Sequence, residues 1–295
     1  MKTYILIHLM PHEIDWFEWQ AKQLKVGNYS IDSSELVVDI TLNLNLTDWN
    51  NSQLPKQYFI DRFNQITSSC FDWCQTLIDI NEDGTCNGCA DKRRTSLRTL
   101  TDATNFIYLD CDVIFNTGTL EVLLNAAKLV TNKHYIISPQ ITKLWDTSWD
   151  VLVNKHHIDD LWDNRTFNDP YKVISTDYGP LELIENPTFK IGGGWFNLIS
   201  AELLRLVDLP DSIGAYGPDD TYLMYCCIRL KQAAADIKQY IVENLLVAEN
   251  HKYRSNIYMS YLQPIRDRTA FRQEGEVAME KEIQKFFNKL QANTK

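Results

Sequence analysis

Apolar and polar positions along the chain follow two rhythms. YILIHL at 4–9 is a short apolar run; Ile14, Phe17, Ala21 and Leu24 then recur at helical spacing, and ELVVDITLNL at 35–44 is rich in β-formers. Strand, helix, strand is the predicted opening. Residues 56–80 carry a helical pattern, 81–92 (NEDGTCNGCADK) read as a loop, and TNFIYLDCDVIF at 104–115 is an apolar run of strand length containing two acids. Leu120, Leu123, Leu124, Ala127 and Val130 mark an amphipathic helix, and HYIISP at 134–139 makes a strand stopped by Pro139. Alternation of this kind predicts an α/β fold, a mostly parallel central sheet flanked by helices. Ligands in such sheets sit at the carboxyl ends of the strands.

Residues 142–188 break the rhythm with three Trp, two His and many Asp and Asn, and are expected to form a long irregular insertion of the functional kind. Order returns with TFKIGGGWFNLIS (188–200), a helix near 201–207, the turn-rich DLPDSIGAYGPDD (208–220), a helix through Leu230 and a strand IVENLLVAEN (241–250). From about residue 269 an amphipathic helix carries Phe271, Val277, Ile283, Phe286 and Leu290 among charges. Its acidic content favours packing on its own domain over an anionic membrane, with peripheral membrane contact as the other reading.

Composition narrows the class. With 295 residues, 44% hydrophobic and 23% charged, the chain can bury a core and falls outside the low-complexity and disordered classes. Its 29 basic against 39 acidic residues give −10, and no basic stripe exists to meet a phosphate backbone, so nucleic acid is not expected as a partner. The N-terminal apolar run is too short and too interrupted for a signal peptide. No stretch reaches the roughly 20 apolar residues of a membrane span, and the expected compartment is the cytoplasm. Seven cysteines, an odd number with Cys226 and Cys227 adjacent, suit reduced thiols.

Several constellations can carry chemistry. Asp110 and Asp112 form the one Asp-x-Asp of the chain. Read at the end of a strand, two carboxylates two residues apart face the same way and can share a hard cation, Mn²⁺ or Mg²⁺, although a solvated strand end has the same spacing. GPDD at 217–220 opens a helix, where Asp219 and Asp220 are either catalytic acids or acids favoured by a helix N-terminus. Gly192, Gly193 and Gly194 beside Trp195 allow close ligand approach, with Trp195 able to stack on a sugar or to fill a core. His251 completes an N/O metal set with the two acids or is a surface histidine. His156 and His157 read as solvated and His8 as a core or edge histidine. Cys70, Cys74, Cys86 and Cys89 resemble a loose zinc pattern, with buried core thiols as the other reading. Arg93 and Arg94 precede the Asp-x-Asp by a helix length and offer bidentate donors to a diphosphate.

The order of these motifs resembles that of a GT-A nucleotide-sugar glycosyltransferase of the family-two and β-1,4-galactosyltransferase-like kind. KRRTSLRTLTDATNFIYLDCD is similar to that family's arginine helix, hydrophobic strand and DxD motif, with Arg94 in the arginine slot sixteen positions before Asp110. KIGGGWFNLISAELLRLVDLPDSIGAYGPDDTYL is similar to its Gly-Gly, Ser-x-x-x-Leu and W-G-x-E-D segment. Here the Glu-Asp is Asp219-Asp220, the tryptophan before it is Tyr216, and the Asn of the arginine motif is Thr95.

The resemblance implies a GT-A domain over 1–268, with a nucleotide-binding half to about 140, an acceptor half beyond it, and a C-terminal helix at 269–295. It implies Asp110, Asp112 and His251 on Mn²⁺ (or Mg²⁺), with Asp110, Asp112, Arg94, Asp39 and Pro11 around the nucleotide. Gly193, Gly194 and Trp195 would face the acceptor, Asp220 would act as general base in an inverting transfer, and Asp219 would orient the acceptor. The donor expected is a UDP-sugar; the acceptor, glycan, lipid-linked or protein, stays open. Two rivals remain. YLDCDVIF also resembles the hydrophobic strand plus DxDxV motif of haloacid-dehalogenase-like phosphohydrolases, with Asp110 as nucleophile, Asp112 as acid/base and Ser138 on phosphate. A non-catalytic glycan-binding module using the Trp-rich segment 145–195 is the other.

Overall fold

The computed structural model describes residues 1–26, 32, 34–44, 54–111, 113–142, 179–184, 196–215, 218–249 and 268–293. The chain opens with β1 (Thr3–Leu9), α1 (Ile14–Val26), β2 (Leu36–Asn43), α2 (Lys56–Cys70), β3 (Gln75–Asn81), α3 (Cys89–Thr99) and β4 (Asn105–Tyr108). It continues with β5 (Val113–Phe115), α4 (Thr119–Leu129), β6 (His134–Thr142), β7 (Leu181–Ile184) and β8 (Asn197–Ser200). The last elements are α5 (Ala201–Val207), α6 (Asp219–Gln232), β9 (Ile237–Glu249) and α7 (Arg268–Asn293).

One sheet runs in the order β3-β2-β1-β4-β8-β6-β9-β5, with β7 also on β9. β1, β2, β3, β4, β6 and β9 share one direction; β5, β7 and β8 oppose it. The sheet is mostly parallel, as expected, and both faces are covered. Strand alternation divides the core accordingly. Ile5, Ile7 and Leu9 of β1 and Ile107 on β4 pack with Phe17 and Leu24 of α1, Phe63 of α2 and Leu123 of α4. Tyr4 and Leu6 of β1 and Phe106 and Tyr108 of β4 pack on the opposite face with Leu97, Leu203, Leu204, Leu223 and Cys227. Phe17 is fully buried; a side chain of that kind stabilises by about 1.5–3 kcal/mol through transfer alone.

β2 shows how the site begins. Val38, Ile40 and Leu42 enter the first core, whereas Val37, Asp39, Thr41 and Asn43 face the other way, so that face turns polar toward the strand's carboxyl end. α3 lies over it.

Four expectations change. The helical pattern at 56–80 ends at Cys70, and Gln75–Asn81 is an edge strand whose mostly exposed side chains carry no apolar stripe. The run 104–115 is two strands: β4 stops at Tyr108, a turn closed by Val113 N to Asp110 O at 3.2 Å follows, and β5 pairs with β9 instead. The alternation argument for Asp110 and Asp112 therefore does not apply, because Asp110 lies beyond the strand. Pro139 does not stop β6, which continues to Thr142 through a register shift between Ser138 and Gln140, a bulge where a missing N–H is tolerated. Within the expected irregular insertion, Leu181–Ile184 pairs antiparallel with β9.

The C-terminal helix α7 sets Met279, Ile283, Phe286 and Leu290 against the second core. Ser212 donates to Glu282 at 2.8 Å, and the Arg229 guanidinium lies 5.0 Å from the Phe287 ring centre. Among the described residues no helix is long and apolar enough to cross a membrane.

Candidate functional site

The site is assembled by α3. At its first turn the Ala90 and Asp91 amides donate to the Ala215 carbonyl at 3.1 and 3.3 Å. One turn on, Arg94 donates from Nε to Leu209 O and from Nη2 to Pro210 O and Gly214 O, each at 3.0 Å, and from Nη1 to Asp91 at 2.7 Å. Gly214 has φ +89, a left-handed turn that favours glycine. Arg98 adds Asp211 at 2.8 Å and Leu209 O at 3.2 Å. These bonds latch residues 209–215 to α3, and that segment leads into α6, whose first residues are Asp219 and Asp220.

On the adjacent face of α3 stands Arg93. Its Nη2 donates to Asp110 Oδ1 at 2.7 Å and its Nη1 to Asp219 Oδ2 at 3.0 Å, and its guanidinium carbon lies 4.5 Å from the Tyr108 ring centre. One buried cation thus joins the acid after β4 to the acid at the start of α6. The two ends differ: the Asp219 side chain is 2% exposed and the Asp110 side chain 35%. Burial raises the Asp219 pKa, with Arg93 opposing and Asp220 reinforcing the rise. Burial alone would lower that of Arg93, but the Asp219 and Asp110 carboxylates hold it well above its ordinary value. Asp220 is partly exposed and its Oδ1 accepts from the Thr221 amide at 2.6 Å.

Buried groups pack around this bridge. Gln20 of α1, fully buried, donates to Asp110 O and Val113 O, both at 2.8 Å, which fixes the turn behind Asp110. Asp39 receives Lys92 Nζ at 2.5 Å and Ser96 Oγ at 2.7 Å. His8 Nε2 and Tyr108 Oη are buried without a hydrogen-bond partner among the described residues. Burial first, then the charges of Lys92 and Arg93, lower the His8 pKa to about 3, so its ring is neutral. Burial pushes the Cys89 thiol well up, away from thiolate character.

The structure links Asp110 to Asp219 through Arg93, with Asp220 next in the chain to Asp219. Arg94, expected at the nucleotide, instead spends its donors on the 209–214 carbonyls and Asp91, and Arg93 holds the position facing the acids. Asp39, expected at the strand end, lies mid-strand in a buried ion pair with Lys92. Pro11 is buried in the turn after β1. Asp112, His251, Gly193, Gly194 and Trp195 lie outside the described residues. All seven cysteines are free thiols, and among the described residues no three potential ligands cluster, so Cys70, Cys74, Cys86 and Cys89 do not come together as a zinc site. Sequence reasoning missed the separate roles of Arg93 and Gln20. Their signal was weak: a polar residue on the buried stripe Phe17, Ala21, Leu24, and one of two adjacent arginines.

No protein-family model matches the chain, and no curated protein matches its sequence. Solved structures do. A mannosyltransferase from Pyrobaculum calidifontis, in complex with GDP-Man and Mn²⁺, matches with a TM-score of 0.51 over 99% of this chain and 73% of its own, at 15% identity. S. aureus TarS 1–349 matches at 0.48 and 10% identity, over 85% of this chain. Its complex with UDP-GlcNAc gives 0.47 and 11% over 88%. The chain spans 60% of the TarS chain's length. The likeness to the mannosyltransferase defines the class of fold: the chain has the expected GT-A α/β architecture.

Proposed function

We propose that this chain is a nucleotide-sugar glycosyltransferase that moves a sugar to a hydroxyl acceptor with inversion, using Asp220 as general base. The observation that carries the reading is the Arg93 bridge, which joins the acid of the DxD motif, just past the carboxyl end of β4, to Asp219, the residue before Asp220 at the start of α6. The fold shared with a GDP-Man- and Mn²⁺-bound mannosyltransferase supports a nucleotide-sugar donor. UDP stays the favoured nucleotide on the motif resemblance.

The residue types of the proposed set, two carboxylates and an imidazole, suit a hard divalent cation. Asp110 offers carboxylate oxygen, is the exposed end of the bridge, and attracts a cationic group in the structure as it stands. Asp110, with Asp112 and His251, would hold Mn²⁺, which supplies neutralisation of a leaving nucleoside diphosphate. Asp220 accepts the acceptor's hydroxyl proton as that oxygen bonds to the anomeric carbon; the carbon–oxygen bond to the diphosphate breaks on the opposite face, its electron pair leaving with the phosphate. Asp219, held by Arg93, orients the acceptor. Gly193, Gly194 and Trp195 are the acceptor-side residues of this reading. The phosphohydrolase rival, with Asp110 as nucleophile, leaves Asp219 at the other end of the Arg93 bridge without a role.

Asp220→Asn is expected to lower transfer at least about 10²-fold. Thermal shift by UDP or GDP with Mn²⁺ is expected to remain as in the parent. Undiminished transfer removes Asp220 from the base role, and absence of any nucleotide-dependent shift in the parent overturns the donor assignment.

A further inference from the structure

We infer that Arg93 is a tethered counter-cation that holds Asp110 until a divalent cation arrives, then yields that carboxylate while staying on Asp219. This rests on the proposed cation site at Asp110 and adds a positioning residue to it. Two distinct nitrogens serve the two acids, Nη2 on Asp110 and Nη1 on Asp219, so one bond can break without the other. The ends are unequal. Asp219 is buried, and leaving its charge unpaired costs far more than releasing Asp110, a third of whose side chain is open to water. The Tyr108 ring 4.5 Å beneath keeps the guanidinium plane in place. The Asp110 carbonyl is held independently by Gln20, so its backbone stays anchored when the arginine lets go. Arg93 and a cation on Asp110 therefore compete for one oxygen.

Competition makes a prediction that a merely structural arginine does not. Arg93→Lys keeps the charge but cannot span two carboxylates, and the buried Asp219 retains the ammonium. Mn²⁺ alone, titrated without nucleotide by calorimetry or by the free-ion electron paramagnetic resonance signal, is expected to bind this variant about tenfold more tightly than the parent. That is the loss of one charge-assisted hydrogen bond from the competing side. Arg93→Gln is expected to bind Mn²⁺ at least as tightly as Arg93→Lys. Because it also orphans Asp219, it is paired with the Arg93→Gln/Asp219→Asn double variant, which has no buried unpaired charge and is expected to give the same tightening. Parent and variants are compared after melting curves establish that each is folded. Mn²⁺ binding that is unchanged or weaker in Arg93→Lys and in the folded double variant overturns the exchange while leaving the cation site intact. Absence of Mn²⁺ binding in parent and variants alike overturns both the exchange and the cation site.

Discussion

Arg93 and Arg94 sit side by side on α3, yet one bridges Asp110 and Asp219 while the other meets the 209–214 carbonyls and Asp91. A turn of 100° per residue separates their faces, and only the packing of α3 against both β2 and the 209–215 segment decides which arginine faces the acids. The sequence shows that a pair of arginines lies ahead of the Asp-x-Asp; it does not show the phase. Asp39 is a parallel case, since a carboxylate on a strand reads as a ligand until Lys92 and Ser96 are found on it. His8 yields a test at this scale. Its folded pKa of about 3 lies below the ordinary 6.5, so the unfolded chain binds more protons between those values. Its contribution to stability is full above the unfolded value and is lost as pH falls toward the folded one, at up to about 1.4 kcal/mol per pH unit. The urea midpoint is expected to drop from about pH 6.5 to pH 5, and His8→Asn is expected to flatten that slope. An unchanged slope in the variant assigns the acid sensitivity elsewhere.

At the level of elements, long periodic segments were legible and short or composite ones were not. α1 and α4 lie where apolar spacing placed them, because each buries one stripe against the sheet. β3 was hidden because an edge strand exposed on most positions lacks a buried face to impose a period of two. The 104–115 run concealed a turn because every described residue of it except Thr104 and Asp110 is buried, whichever strand it joins. α3 and the 209–215 segment behave as one unit. Arg94→Met removes four donated bonds from that latch, leaving Leu209 O to Arg98 and Pro210 O to the Ile213 amide. A loss of about 3 kcal/mol is expected, read as a lower urea midpoint with an unchanged denaturant slope. A loss below about 0.5 kcal/mol makes the latch incidental.

Across the whole molecule, the architecture was readable from alternation and motif order, whereas the link that Arg93 makes between Asp110 and Asp219 was not. The two margins of the sheet also differ in a way composition does not reveal. β3 presents Leu77 and Ile78, 43% and 46% exposed, on an outer strand of seven residues. Ile78→Lys is expected to slow concentration-dependent light scattering during refolding while shifting stability by less than about 0.5 kcal/mol. Equal scattering clears that margin of blame.

The opposite margin is built otherwise. β9 is thirteen residues long, but its outer side is shared by β7 along 239–242 and β5 along 247–249, two short antiparallel pieces laid end to end. Among the described residues, a neighbouring chain seeking to extend the ladder there meets stubs of four and three residues, which favours recruitment into fibrils or swapped dimers from the other flank.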